Sequence, residues 1–373
     1  MSEAQSSLVR ISQPEVHLLI EAVQIPSLSG EEGTLAAFLV RWAQDHGYTR
    51  AYVDEAGNAV AEMGSDQAPR TLVLLGHMDT VPGNIPVRIQ DGKLYGRGTV
   101  DAKGPLCAFL AAVANVGPLP DVRFVVVGAT EEEAATSRGA RFIRDRFLAE
   151  GIPTGCIIGE PSGWAGITLG YKGRLLIDFV AKQPALHTAA PDARGVADRF
   201  CQWWAAVKAY CDSYNRDKPR TFDQILPSLR EVHTSTDGLT DQVQARVGLR
   251  LPLEVSREGL EAQVRTMAED VGGEVAFFGY EPAFRADKHN ALVRALTFAI
   301  RQMGGRPSFK LKTGTSDMNV VGPAWQCPMV AYGPGDSRLD HTPEEHIELE
   351  EYMRGIRVLE LALRRWATTP KRA

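Results

Sequence analysis

The sequence predicts an α/β protein in which a mixed, mostly parallel sheet flanked by helices carries an inserted α+β domain. Three observations lead there. Before residue 173, short apolar runs (TLVLLGH, VRFVVVGAT, GCIIGE) alternate with segments whose apolar residues recur at helical spacing. Such alternation builds parallel sheets whose strands are buried on both faces. From about 173 to 285 the order changes to β-α-β-β-α-β, the ferredoxin-like arrangement. Beyond 286 the first pattern resumes, so one discontinuous domain (1–172 and 286–373) is interrupted by an insert at 173–285. A chain of 373 residues also exceeds the usual size of a single core.

The elements follow in order. PEVHLLIEAVQI and EEGTLAAFLVRWAQDHG read as amphipathic helices, the second entered near Ser29 and Gly30. GPLCAFLAAVANV and SRGARFIRDRFLAEG read as helices lying between the apolar strands. In the insert, RLLIDFVAK, SLREVHTST, DQVQARVGLRLPL and GEVAFFGY read as strands. Residues 193–211 form its first helix, with Trp203 and Trp204, and SREGLEAQVRTMAED forms its second, opened by Ser256. HNALVRALTFAIRQMGG and about 344–366 complete the first domain as helices.

Composition narrows the function. A net charge of -5 argues against a nucleic-acid partner, since phosphate binding needs a basic face. No stretch approaches the roughly 20 apolar residues of a membrane helix, and MSEAQSSLVRISQPE lacks a signal-peptide pattern. Five scattered cysteines suggest reduced thiols in a cytoplasmic protein rather than a disulfide framework.

The chemistry gathers in short segments at predicted strand ends. GHMDT places His77 and Asp79 two residues apart, on the same side of an extended chain, so that Asp79 can orient the His77 ring. Asp101 lies in GRGTVDAKG, whose glycines permit unusual backbone shapes. The segment lacks the G-x-x-x-x-G-K-S/T pattern of a phosphate loop. Glu131, Glu132 and Glu133 follow VVVGAT, where three adjacent carboxylates repel one another unless a cation neutralises them. One of them can ligate metal while its neighbour serves as a general base. Glu160 in IIGEPSG and His341 in SRLDHTPEEH complete a set suited to two divalent cations. His346 reads as part of the last helix, and His17, His46, His233 and His289 have no motif around them.

Taken together, GHMDTVP, GRGTVDAKG, TEEEA, GEPSG, LHTAAP and LDHTPEEHIE resemble the di-zinc aminoacylase and carboxypeptidase family, over nearly the whole chain and in the right order. The family includes acetylornithine deacetylase and succinyl-diaminopimelate desuccinylase. The resemblance implies a zinc-exopeptidase-like catalytic domain with a lid that also dimerises. It implies two divalent ions per chain, zinc first, with cobalt and manganese accepting the same ligands. Asp101 would bridge them, His77 and Glu160 completing one sphere, Glu133 and His341 the other. Glu132 would be the general base. The family reads Asp-Glu-Glu where this chain reads Glu-Glu-Glu, so the pair Glu131/Glu132 is the alternative register. His187 matches a lid histidine that reaches a neighbouring subunit's site and helps stabilise the oxyanion.

KLKTGTSDMN and YGPGDSRLDHTPEEHI resemble the branch of this family that releases lysine or ornithine from a small acidic amino-group carrier protein. There, the turn corresponding to Thr313, Gly314, Thr315, Ser316 and Asp317 holds the substrate's carboxylate, a task suited to a helix N-terminus capped by Ser316. Arg138, Lys172, Arg174 and Arg338 are candidate carrier contacts. The competing readings are an acetyl-lysine or acetylornithine deacetylase, a dipeptidase or carboxypeptidase, and a non-catalytic amino-acid or carrier-binding protein. The last is disfavoured by the intact set of ligands and base.

Overall fold

The computed structural model describes residues 13–187, 189 and 194–369. The two ends of the chain, Thr188, Ala190 and Pro191 of the LHTAAP motif, and the next two residues, Asp192 and Ala193, lie outside them. The chain divides into two compact units. One is built from the chain up to Gly170 with Ala286–Leu311 and the chain from Ser316 onward; the other is Tyr171–Arg285 with Lys312–Thr315.

The first unit is built on a mixed, mostly parallel sheet flanked by helices. Arg50–Val53 runs antiparallel to Ala59–Met63, which is antiparallel to Val122–Ala129. Val122–Ala129, Arg70–His77, Gly155–Gly159 and Met329–Ala331 then run parallel in that order. Gly166–Tyr171 follows antiparallel. The central strands are buried from end to end apart from the first residues of Arg70–His77 and one position in Val122–Ala129. This is why their sequences are continuous Val, Ile and Leu rather than alternating. The helix Lys103–Val116 is buried along almost its whole length, and Leu359, Leu363 and Trp366 of the closing helix Leu349–Ala367 belong to the same core.

Register matters most for function. Gly76 pairs with Gly128 on one side and Gly159 on the other, and His77 pairs with Ala129. The chain therefore leaves three neighbouring parallel strands at one level, at His77, Thr130 and Glu160. Ligand-binding groups collect at such carboxyl edges of open α/β sheets.

The second unit holds four antiparallel strands in the order Leu226–Thr236, Thr240–Leu251, Gly173–Pro184, Gly273–Glu281. With helices Val196–Asn215 and Arg257–Glu269 between them, this is the ferredoxin-like order. Phe179 stacks on Trp203 at 4.6 Å between ring centres in its core, beside Ile177, Val207 and Val264. Ser256 accepts a hydrogen bond from the Gly259 N–H and opens the second helix.

The C-terminal segment departs from the sequence reading. His346 is not helical. It begins the strand His346–Glu348, which pairs with Lys93–Tyr95 in a small sheet that also includes Arg88–Gln90. The last helix accordingly starts at Leu349, not near 344. Strand pairing and the burial of Glu345 hold this segment extended, overriding its helix-favouring Glu residues.

Candidate metal centre

His77 ends its strand almost fully buried. Its Nδ1 lies 3.0 Å from the Asp79 carbonyl and 3.3 Å from the Asp79 carboxylate, and its Nε2 lies 3.3 Å from Asp101 Oδ1. Asp79 is wholly buried, and its carboxylate accepts the Ser29 hydroxyl at 2.7 Å. It also accepts the backbone N–H of Glu132 at 3.0 Å and of Glu133 at 2.9 Å. One side chain thus touches the imidazole of one strand end and fixes the loop that leaves the next.

That loop is held at each consecutive N–H. Asn58 accepts from Thr130, Glu32 from Glu131, and Asp79 from Glu132 and Glu133. Glu131 takes a left-handed backbone, φ 59°, and its carboxylate turns to the Thr136 hydroxyl at 2.7 Å. Glu132 and Glu133 point elsewhere. Donor atoms of His77, Glu132 and Glu133 lie within 4.8 Å of one another, as do those of Asp101, Glu133 and His341. His341, also left-handed at φ 61°, brings Nε2 to 2.8 Å from Glu133 and 3.0 Å from Asp101 Oδ2.

The electrostatics show what this cluster wants. Burial, with repulsion from Glu160, Glu133 and Asp317 opposing the attraction of His77, pushes the Glu132 carboxyl well above its usual range. Burial and Asp101 push Glu133 up as well, against the hydrogen bond from His341. Hydrogen bonds from both imidazoles hold Asp101 low despite its burial. Those to Asp101 and Glu133 raise His341 to about 10. His77 is raised too, its bonds to Asp101 and Asp79 outweighing burial. The carboxylates compete for every available positive charge, and divalent cations would supply it directly. Imidazole nitrogen and carboxylate oxygen are the donors such ions take. The donor set fits.

The remaining candidates are placed as follows. Glu160 is buried just past its strand and acts on Glu132 through its charge, but neither close donor group includes it. Ser316 caps the helix Asp317–Trp325, its hydroxyl accepting the Met318 N–H at 3.2 Å. Thr315, in the other unit, accepts from Arg250 and donates to the Lys172 carbonyl at 3.3 Å; Thr313 and Gly314 precede it in the same unit. Lys172 itself is buried and turned to the carbonyls of Thr221, Phe222 and Gln224, which argues against its use as a carrier contact. His187 is exposed, its Nδ1 accepting the Ala189 N–H at 3.1 Å, and belongs to neither donor group.

Several supporting residues escaped sequence reasoning: Glu32, Asn58 and Glu345. Glu345 accepts from the N–H groups of Val100 and Asp101 while remaining wholly buried. Asp317 is buried at a helix N-terminus and bears on Glu132. None of Glu32, Asn58 and Glu345 carries a local signal in the sequence.

The comparisons with known proteins agree with this geometry. The pattern of peptidase family M20/M25/M40 matches residues 73–365, and the chain belongs to that family. It is therefore a hydrolase. A relative described as "[LysW]-lysine hydrolase", from Deinococcus radiodurans, is 49% identical over 95% of this chain and 97% of its own length. Another, from Thermococcus kodakarensis, described as a "Putative [LysW]-lysine/[LysW]-ornithine hydrolase", is 39% identical over 93% of this chain and 91% of its own. Among solved structures, an M20 family metallo-carboxypeptidase from Sulfolobus solfataricus superposes with a TM-score of 0.79 at 19% identity, covering 96% of this chain and 100% of that one. A dinuclear metal binding peptidase of Bacillus subtilis matches with a TM-score of 0.64 at 13% identity over 96% of this chain and 98% of its own.

Proposed function

We propose that the chain is a metal-dependent amide hydrolase that releases lysine, or ornithine, from an acidic amino-group carrier protein in amino-acid biosynthesis. The observation that carries the substrate is the 49% identity, over nearly both full lengths, to a "[LysW]-lysine hydrolase". The reaction is supported by the donor groups around Asp101 and Glu133. His77, Asp101, Glu133, Glu160 and His341 would hold two divalent ions, zinc first, with Asp101 shared. When bound, the ions would polarise the scissile carbonyl and acidify a water.

The chain's own part is proton transfer and orientation. A Glu132 carboxylate oxygen takes the water's proton and later delivers it to the departing amine nitrogen. Asp79 keeps the His77 ring and the Glu132 backbone in place through bonds already formed. Glu131 is the poorer base, because its carboxylate is committed to Thr136. His187 of a partner subunit would donate to the oxyanion, with the insert acting as lid and dimer contact. Thr313, Gly314, Thr315 and Ser316 would receive the carboxylate of the released amino acid. The five cysteines are free thiols, in keeping with a cytoplasmic setting.

The test is a substrate panel. kcat/KM for lysine joined by an amide to the acidic carrier should far exceed that for acetyl-lysine. The advantage should shrink as salt rises, because steering of an acidic partner is screened. Equal efficiencies with matching salt profiles would favour the deacetylase reading.

A further inference from the structure

Glu345 is the residue whose surroundings the chemistry above leaves unused. It lies four positions after His341, is wholly buried, and has both carboxylate oxygens engaged. Oε1 accepts the N–H of Val100 at 2.9 Å and of Asp101 at 3.1 Å. Oε2 accepts Arg97 Nη1 at 2.7 Å, in an ion pair almost closed to solvent. That Arg97 nitrogen also donates to the Thr342 carbonyl at 3.2 Å, and its Nε donates to the Gly83 carbonyl at 3.1 Å. The Glu345 carbonyl in turn receives the Gly96 N–H at 3.4 Å.

From this network we infer that Glu345, paired with Arg97, is a positioning residue that locks the Asp101 segment to the His341 segment and so sets the geometry of the shared carboxylate. The argument is one of connection. Asp101 and His341 are far apart in sequence, and each lies in an irregular stretch beyond the ladder in which His346–Glu348 pairs with Lys93–Tyr95. That ladder brings the two segments together without fixing the ligands themselves. Within the network just described, the Glu345 carboxylate and the Arg97 guanidinium bind both segments at once. Residues that orient metal ligands in this way typically change metal affinity by about 10–100-fold when altered. A glutamine at 345 keeps the shape and one acceptor oxygen, but turns an amide donor towards Arg97 and strands a buried charge.

The inference rests on the metal-site reading, and the experiment separates the two. Cobalt(II) is titrated into metal-free wild type, Glu345→Gln and Arg97→Lys, following the visible cobalt absorption and competition with a chelating indicator. The thermal midpoint of each metal-free protein is recorded alongside. The positioning role predicts cobalt binding weakened at least about 10-fold in the folded variants, with an altered absorption band, whatever fall in the metal-free midpoint the stranded charge brings. Wild-type affinity and spectrum in the variants would overturn it, even if stability fell, because Glu345 would then serve the fold alone. If Glu345→Gln does not fold, the same criteria applied to Arg97→Lys decide. A wild type that takes up no cobalt would overturn the metal reading and this inference together.

Discussion

At the residue scale, the three consecutive glutamates separate by environment rather than by type. Glu131 is left-handed and bonded to Thr136, Glu132 groups with His77, and Glu133 groups with both His77 and the Asp101–His341 pair. Glu132→Gln should therefore leave metal content intact while lowering kcat by at least about 100-fold, the usual cost of losing a general base. Glu133→Gln should instead lower metal content, and Glu131→Gln should have a small effect on both. Metal analysis beside steady-state kinetics distinguishes the three, and the same pattern moved one residue earlier would reverse the assignment. His77, Asp101 and His341 were legible in the sequence because glycine and aspartate cluster around them. Glu345, Glu32 and Asn58 were not, since each acts on a segment distant in sequence through hydrogen bonds that no local pattern reveals.

At the element scale, the site depends on a loop pinned between a strand and a helix. Gly139, in the first turn of the helix Arg138–Glu150, lies so close to the Thr130 backbone and the Asn58 side chain that an added Cβ would strike both. Asn58 is also the acceptor for the Thr130 N–H, at the root of the glutamate loop. Gly139→Ala should thus cost about 1–3 kcal/mol of stability, as overpacking does, and should also lower kcat by shifting Glu132. Denaturant melts with kinetics on the folded fraction test this; a destabilised variant of unchanged kcat would show that the loop tolerates the displacement. The long strands and helices were legible because apolar periodicity is a local property. The hairpin of Arg88–Gln90 and Lys93–Tyr95 was missed, although its turn residues Asp91 and Gly92, at φ 51° and 74°, are the pair that favours such turns. His346 was misread for the opposite reason: its helix-like surroundings yield to pairing with Tyr95, a contact no local pattern reveals.

At the scale of the whole molecule, the order of elements was readable because each unit obeys one rule of chain alternation. The parallel strands bring His77, Thr130 and Glu160 to one sheet edge, and a much later segment delivers His341 beside them. Only the latter juxtaposition required the folded chain. Among the described residues no helix is long and apolar enough to cross a membrane. The central claim is that this edge holds two divalent ions that hydrolysis requires. The most direct measurement is titration of the metal-free protein with zinc or cobalt, following bound metal and amide hydrolysis together. The account predicts no turnover without metal and activity that saturates at about two ions per chain, the number a shared carboxylate between two ligand sets implies. Full activity at one tightly held ion, or turnover that survives complete chelation, would contradict it.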